Sequence, residues 1–246
     1  FAVPIIQRLA KNEGGKGTIR ALILTPTREL ALQIYENVCQ YARYMPCSAA
    51  VIFGGVSQVP QVEAIERGVD ILIATPGRLW DLMGQKIVKL DKAEFFVLDE
   101  ADRMLDMGFF DDIMKIVAEL PAQRQTVMFS ATLPPKIRQL AKQILRDPSE
   151  VNIAISKPNE AISQVAYVCY ENQKIGIIRE LFARPSGTKT IIFSSSKLKT
   201  KELARTLKQM KLNVGAMHSD LEQEQREAVM LDFRNGKIDI LVATDI

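Results

Sequence analysis

The stretch from Phe95 to Asp102 constrains the fold of this chain more than any other. Four apolar residues, Phe-Phe-Val-Leu, lead directly into Asp-Glu-Ala-Asp. A short, unbroken apolar run is typical of a strand that is buried on both faces, as in a parallel sheet covered by helices. Open α/β sheets bind ligands at the carboxyl ends of their strands. The stretch therefore predicts a buried parallel strand that carries Asp99 and Glu100 at a ligand-binding edge.

Two adjacent carboxylates at such an edge could divide the chemistry of phosphate transfer. Mg²⁺ prefers one or two carboxylates together with water and phosphate oxygens, so Asp99 is a candidate for holding it. Glu100 is then a candidate base that orients and deprotonates a water in line with a phosphate. The alternative is a solvated strand-to-helix turn, because acidic residues also favour a helix N-terminus. The pair alone leaves both interpretations open.

Short β-rich apolar runs alternate with longer segments of helical period along the sequence. The predicted strands are 21–24, 49–53, 70–73, 95–98, 126–129, 165–170, 190–193, 213–217 and 238–242. Helical patterns between them include 29–41, 60–67, 135–145, 197–210 and 222–235. This alternation indicates βαβ units and parallel sheets. A polar segment that holds Pro158 interrupts it, so we predict two α/β domains, 1–154 and 164–246, joined by a linker at 155–163.

The composition is that of an ordinary globular chain. Hydrophobic residues make up 47% and charged residues 25% of the 246, and the formal net charge of +3 only weakly favours a polyanionic partner. The cysteines Cys39, Cys47 and Cys169 form no C-x-x-C pair, which argues against a disulfide framework and a zinc site. Such cysteines are typical of reduced thiols in an intracellular protein, so we expect a cytoplasmic one. Because no apolar run reaches about 18 residues, we expect no membrane span.

One motif occurs twice at predicted strand ends. It reads Thr-Pro-Thr-Arg at 25–28 and Thr-Pro-Gly-Arg at 75–78. Thr suits an N-cap and Pro the first helical position, so each copy predicts a helix N-terminus that offers free N–H groups to an anion. The arginine adds a bidentate phosphate donor. Two such sites in one sheet suggest a nucleic-acid backbone bound at successive phosphates, and two capped helices with solvated arginines are the alternative.

Two further predicted strand ends carry small or hydroxylated residues. Gly54 and Gly55 follow the second predicted strand, where a phosphodiester could approach closely, or where the chain makes only a tight turn. Ser130 and Thr132 follow the fifth, and their hydroxyls could hydrogen-bond Asp102. Such bonds would connect a metal site to the rest of the sheet.

In order and approximate spacing, these motifs resemble those of the DEAD-box ATP-dependent RNA helicases of superfamily 2. The matching segments of the first half are 26–31 (Pro-Thr-Arg-Glu-Leu-Ala), 54–55, 75–78, 99–102 and 130–132. Those of the second half are Ile-Ile-Phe-Ser at 191–194, His-Ser-Asp-Leu at 218–221, Gln-x-x-Arg at 223–226 and Ala-Thr-Asp at 243–245. The run at 102–109 looks most like the bacterial RhlE-like branch. The resemblance covers essentially the whole chain.

The resemblance implies two RecA-like domains, each a mostly parallel sheet flanked by helices, that close over ATP and single-stranded RNA. It implies that Asp99 orders Mg²⁺, that Glu100 activates the hydrolytic water, and that Asp245 lies near the nucleotide. Asp102 would hydrogen-bond Ser130 and Thr132 and relay domain closure. The residues implied to face the RNA are Thr27, Arg28, Gly54, Gly55, Thr75, Gly77, Arg78, Ser194, Arg226 and Thr244, with 215–219. Contacts to the backbone carry little base information, so binding should be independent of sequence.

Two segments of the family are not found in the 246 residues. There is no G-x-x-x-x-G-K-[ST] loop to cradle phosphates, and no His-Arg-x-Gly-Arg-x-Gly-Arg segment, which supplies arginine fingers in the family. We therefore expect an excerpt of a longer chain, truncated in both domains, that by itself neither binds ATP tightly nor hydrolyses it. The complete chain is expected to separate short RNA duplexes. An RNA-binding clamp without turnover and a DNA-directed translocase are the alternatives.

Overall fold

The computed structural model describes residues 1–11, 17–152, 162–182 and 188–244. The chain divides into two compact units, Phe1–Val151 and Asn152–Ile246. Residues 155–161 of the predicted linker lie outside the described residues, so the limits of the linker stay a prediction.

The first unit alternates strands and helices around one parallel sheet. Its helices are α1 (Ala2–Lys11), α2 (Arg28–Tyr41), α3 (Val59–Glu66), α4 (Pro76–Gly84), α5 (Ala101–Asp106), α6 (Phe110–Ala118) and α7 (Pro135–Ile144). Its strands are β1 (Ala21–Leu24), β2 (Ala49–Ile52), β3 (Ile71–Ala74), β4 (Phe95–Leu98) and β5 (Gln125–Met128). They pair in parallel in the order β2-β3-β1-β4-β5. The predicted α/β class is confirmed.

The central strands β1, β3 and β4 are buried at every residue because helices cover both faces of the sheet. On one face, Leu22 and Phe96 pack in the same apolar cluster as Met104 of α5. On the other face, Ile23 packs with Val38 of α2. Full burial of a side chain such as Phe96 contributes about 1.5–3 kcal/mol. Burial on both faces explains why these strands read as unbroken apolar runs.

A buried arginine, paired with a partly exposed glutamate, ties α1 to the amino ends of the strands, opposite the ends that carry Asp99. Arg20, which precedes β1, is 3% exposed. Its Nε donates to Glu94 Oε1 at 2.6 Å, and its Nη1 donates to the Leu9 carbonyl at 3.2 Å. A buried guanidinium is tolerated only when it is paired in this way. The pair therefore connects α1 with the amino ends of two neighbouring strands.

The second unit repeats the α/β pattern. A 3₁₀ turn at Glu171–Gln173 leads into α8 (Lys174–Leu181), followed by β6 (Thr190–Ser194), α9 (Lys197–Gln209), β7 (Val214–Met217), α10 (Gln223–Arg234) and β8 (Ile240–Thr244). Within the described ranges, the strands form a parallel sheet in the order β6-β8-β7. Val242 of β8 packs with Leu207 of α9 on one face, and Leu241 packs with Phe233 of α10 on the other.

The predicted strand at 165–170 is wrong. Residues 163–170 form no regular structure, Val168 is fully exposed, and Tyr170 is 80% exposed. No described strand pairs with this segment. Apolar and polar residues alternate along it, but such a pattern forms a strand only where a partner strand is available. The other predicted strands agree with the structure to within two residues at each end. No helix in the described ranges is both long and apolar enough to span a membrane.

Candidate active site at the strand ends

The five strands of the first sheet end level with one another. Across the sheet, the register partners at this edge are Ile52, Ala74, Leu24, Leu98 and Met128. Neighbouring strands lie about 4.8 Å apart, so the row spans about 19 Å. Each segment of the first unit that was predicted to bind phosphate, nucleotide or metal begins just after this row. Parallel pairing therefore brings all of them to one edge.

The order of the strands sorts these segments into two groups. Those that contain Gly54, Thr75 and Thr27 follow β2, β3 and β1, so the candidate phosphodiester contacts occupy one end of the row. Those that contain Asp99 and Ser130 follow β4 and β5 at the other end. The strand order reverses between β1 and β4, and ligands of open α/β sheets bind at such a reversal. The acidic pair therefore lies beside the expected ligand position.

The backbone between β4 and α5 is strained at Glu100. This residue adopts the left-handed conformation, with φ 51° and ψ 51°, which costs a residue with a side chain about 1–2 kcal/mol. Its N–H donates to Asp99 Oδ1 at 3.1 Å, and its carbonyl accepts from the Met104 N–H at 3.0 Å. Strain of this kind clusters at functional sites. The observation favours a functional turn over the merely solvated one that the sequence left open.

Both carboxylates of the pair hold protons more tightly than usual. Burial raises the pKa of Asp99, and the hydrogen bond from Glu100 offsets only part of this rise. Burial also raises the pKa of Glu100, and the negative charges of Asp99 and Asp102 raise it further, against the effect of Arg103. The Glu100 side chain is nevertheless exposed. An accessible carboxylate with a raised pKa suits a general base.

Asp102 connects the turn after β4 with the segment after β5. Its Oδ2 accepts hydrogen bonds from the Thr132 N–H at 2.9 Å and from Thr132 Oγ1 at 2.8 Å. Ser130 Oγ donates to the Thr132 carbonyl at 2.7 Å. Partial burial acts to raise the pKa of Asp102, but the hydrogen bonds from Thr132 and from the Arg103 N–H outweigh it and lower the pKa. The predicted contact with Thr132 is present, and the relay of domain closure stays a prediction.

The donor set at this turn fits Mg²⁺ held together with a nucleotide. Asp99 and Glu100 supply carboxylate oxygens, and one or two of these suffice when water and phosphate complete the shell. In the part of the chain that the structure describes, no group of three or more His, Cys, Asp or Glu side chains could hold a metal ion. A cation here would therefore depend on substrate phosphates. Asp245, also predicted to bind the nucleotide, lies outside the described residues.

The two copies of the repeated motif begin their helices differently. In the second copy, Thr75 is the N-cap residue and the proline after it is the first residue of α4, as predicted. In the first copy the N-cap of α2 is Thr27, whose Oγ1 accepts from a backbone N–H three residues later at 3.3 Å. The expectation that Thr25 caps this helix is wrong. Thr27 has the hydroxyl that Gly77, at the corresponding position, does not have.

Both arginines of the repeated motif contact the glycine turn at 54–55. Arg78 Nη2 donates to the Val56 carbonyl at 3.0 Å, and its Nη1 is buried with no hydrogen-bond partner among the described residues. Gly55 has a φ of +77°, and a Cβ added there would lie 2.2 Å from Arg28 Nη2. The turn and the two guanidinium groups are therefore packed against one another, which spacing in the sequence does not show.

Gln61 is a residue of this site that the sequence analysis missed. It lies on α3, is 8% exposed, and hydrogen-bonds the backbone at both ends of the glycine turn. A single glutamine in a helical pattern matches no motif. The one available signal is its position eight residues after the end of a predicted strand, and that spacing is not diagnostic.

The second sheet has its own row of strand ends. Ser194 and Thr244 are register partners at the ends of β6 and β8. His218 follows β7 and is buried; burial, and then the charge of Lys201, lower its pKa. Arg226 lies on α10 and not at a strand end. The register therefore brings Ser194, Thr244 and His218 to one edge.

Asp220, just after His218, is held by two lysines of α9. Lys197 Nζ lies 2.8 Å from one carboxylate oxygen and Lys201 Nζ lies 2.7 Å from the other. Hydrogen bonds from both lysines lower the pKa of Asp220 to about 2. These ion pairs join the turn after β7 to the first turns of α9.

Comparison with known proteins identifies the family. The DEAD/DEAH box helicase family matches residues 1–140, which is more than half of the chain. The chain belongs to the DEAD/DEAH box helicase family. The helicase conserved C-terminal domain matches residues 173–246 of this DEAD-box chain. The RhlE-like branch within the family stays a prediction.

The relatives of this DEAD-box chain are longer than the chain itself. It is 40% identical over 245 residues to DEAD-box ATP-dependent RNA helicase 40 of Oryza sativa, covering 98% of the chain and 31% of the relative. It is 37% identical over 247 residues to DEAD-box ATP-dependent RNA helicase CshA of Streptococcus pneumoniae, covering 100% of the chain and 47% of the relative. The chain thus spans less than half the length of these curated relatives.

A solved structure shares the fold. The structure of S. cerevisiae Dbp5 bound to RNA and ADP BeF3 matches 99% of the chain and 61% of its own length, with a TM-score of 0.84 and 31% identity. The prediction of two parallel-sheet domains of the helicase type is confirmed.

Proposed function

We propose that the complete protein is an ATP-dependent RNA helicase that binds the backbone of single-stranded RNA and separates short duplexes as it hydrolyses ATP. The observation that carries this proposal is the in-register row of strand ends in the first sheet. One end of the row holds a strained acidic turn, and the other holds helix N-termini and a glycine turn suited to phosphates. Named relatives are ATP-dependent RNA helicases, and Dbp5 is bound to RNA and a nucleotide, which supports the same assignment here.

In the proposed reaction, Glu100 orients a water in line with the γ-phosphate of ATP and accepts its proton. The water oxygen bonds to the γ-phosphorus, the bond from that phosphorus to the β–γ bridging oxygen breaks, and ADP and inorganic phosphate leave. Mg²⁺, when bound, neutralises charge on the phosphate oxygens. Asp99 would hold that ion through its water shell, and Asp245 would contact the nucleotide. Asp102 and Thr132 keep the turn after β4 and the segment after β5 together.

RNA binding is proposed at the remaining strand ends of each unit. The first unit would contribute Thr27, Arg28, Gly54, Gly55, Thr75, Gly77 and Arg78, and the second Ser194, Arg226 and Thr244. Helix N-termini and arginines contact phosphates, so affinity should vary little with base sequence and should fall as salt rises. A preference for RNA over DNA would come from contacts with the 2′-hydroxyl.

The test is Glu100→Gln in the complete protein, with Glu119→Gln as the matched control. Both variants lose one carboxylate, and Glu119 is exposed at the end of α6, away from the row of strand ends. Because a general base contributes about 10²–10⁴-fold, we expect Glu100→Gln to lower the kcat of RNA-stimulated ATP hydrolysis by at least about 10²-fold. RNA affinity with a non-hydrolysable ATP analogue should not change.

Three results would contradict the proposal in different ways. Equal rates for Glu100→Gln and Glu119→Gln would remove Glu100 from the chemistry. Wild-type protein that binds RNA but hydrolyses no ATP would favour a clamp without turnover. RNA and DNA strands that stimulate hydrolysis equally would favour a translocase.

We also propose that the 246 residues prepared alone do not hydrolyse ATP, because they contain no G-x-x-x-x-G-K-[ST] loop. Measurable RNA-stimulated hydrolysis by this segment would overturn that statement. The domain limits 1–154 and 164–246, with a linker at 155–163, are part of the same proposal. Limited proteolysis that cuts first within 155–163 would support them.

A further inference from the structure

We propose that Gln61 is a positioning residue that holds the glycine turn at 54–55 in the conformation that receives the RNA backbone. This inference rests on the function proposed above and concerns a residue outside the recognised motifs. Gln61 lies on α3 and is 8% exposed. A buried amide needs partners for both its donor and its acceptor, and this one finds all of them in the backbone around the turn.

The Gln61 side chain spans the turn from one end to the other. The Phe53 N–H donates to Gln61 Oε1 at 3.0 Å, and Gln61 Nε2 donates to the Phe53 carbonyl at 3.2 Å. The same Nε2 donates to the Ser57 carbonyl at 3.1 Å. One primary amide thus fixes the residue before the two glycines and the residue two positions after them.

The position of β2 explains why an amide is needed here. β2 is the edge strand of the sheet, with β3 as its neighbour on one side. The Ile52 carbonyl accepts from the Thr75 N–H at 3.1 Å and so faces inward. Successive residues of a strand direct their peptide groups to opposite sides, so those of Phe53 face the open edge. Gln61 takes the place of a neighbouring peptide group and marks the end of β2.

The same turn contacts both candidate phosphate-binding arginines. Gly55 lies against the Arg28 guanidinium, and the Val56 carbonyl accepts from Arg78 Nη2. A turn that moves would therefore change the positions of both guanidinium groups as well as its own approach to RNA. Gln61 reaches no ligand itself, and its effect on RNA binding passes through the backbone that it holds.

The test is Gln61→Met in the complete protein, which keeps the length of the side chain and removes all three hydrogen bonds. Gln40→Met is the matched control, because Gln40 is an exposed glutamine near the end of α2. We expect Gln61→Met to weaken binding to single-stranded oligouridylate about tenfold and to raise the KM for RNA, with kcat at saturating RNA within about twofold. The slope of log Kd against log salt should become shallower by about the amount that one phosphate contact contributes.

Amide hydrogen exchange at 53–57 provides a readout that needs no RNA. It should be faster in Gln61→Met than in the wild type and unchanged in Gln40→Met. Gln61→Asn, which keeps the amide but withdraws it by one methylene, is a milder second variant. It should change both exchange and affinity in the same direction, and it serves if Gln61→Met does not fold.

The possible outcomes separate this inference from the proposed function. Weaker binding with an unchanged salt slope would indicate a merely structural role and overturn the inference. Faster exchange with unchanged RNA affinity would also overturn it. Wild-type protein that binds no RNA would refute the proposed function instead, because exchange at 53–57 tests the Gln61 contacts independently.

Discussion

Replacing Gly55 by alanine tests whether the glycine turn depends on its left-handed backbone and on contact with Arg28. Gly55 has a φ of +77°, a conformation that costs a residue with a Cβ about 1–2 kcal/mol. The new Cβ would lie 2.2 Å from Arg28 Nη2 and 2.4 Å from Arg28 Cζ, so the guanidinium must move. That movement costs little, because the group ends a flexible side chain. We therefore expect the free energy of unfolding of the first unit to fall by about 1–2 kcal/mol.

Gly54→Ala is the control, because a Cβ at that neighbouring position meets nothing within 4 Å. Urea unfolding can be followed by the fluorescence of Trp80, the single tryptophan of the 246 residues, which lies on α4 of the first unit. Gly55→Ala should also weaken RNA binding several-fold through the displaced Arg28, whereas Gly54→Ala should leave stability unchanged. Equal stability for the two variants would refute the reasoning.

Two further predictions concern charged residues outside the row of strand ends. Arg20→Met should lower the free energy of unfolding by about 1–3 kcal/mol in urea, because Glu94 and a carbonyl of α1 lose their donor; Arg20→Lys should recover only part of this. Asp220 should titrate at about pH 2 by NMR, because Lys197 and Lys201 lower its pKa. The folded pKa is below the unfolded one, so the stabilisation is complete above about pH 4 and is lost as pH falls through about 2. Salt at 1 M should raise this pKa towards its ordinary value, and no change would contradict the ion-pair assignment.

The central strands of the first unit, β1, β3 and β4, were predictable because burial on both faces leaves a local signal. β1 and β4 were predicted to the residue, since each is a four-residue apolar run that ends at a polar side chain or a threonine. The segment at 165–170 failed for the opposite reason. Its apolar residues are exposed, and whether such a segment joins a sheet depends on a partner that the segment itself does not encode.

The site was predictable as a set of strand ends but not as an arrangement. The order of the motifs along the chain does not determine which strands are neighbours. Only the strand order of the structure shows that the candidate phosphate-binding segments are separated from the acidic pair. The capping role of Thr27 and the contacts of Gln61 were also missed. Both depend on hydrogen bonds to particular backbone groups, and these bonds cannot be predicted from residue type alone.

The strands that precede the acidic pair and the glycine turn differ in how firmly the sheet supports them. β4 is bonded to β1 and β5 and has no exposed residue, whereas β2 is bonded to β3 alone and buries only alternate residues. The free energy of local opening rises from near zero at the margins of a fold to the global value in its core. The acidic pair therefore follows one of the most rigid strands, while the glycine turn follows a more compliant one. If the proposed function holds, a polyanion of irregular shape can be accommodated at the margin without disturbing the geometry at the acidic pair.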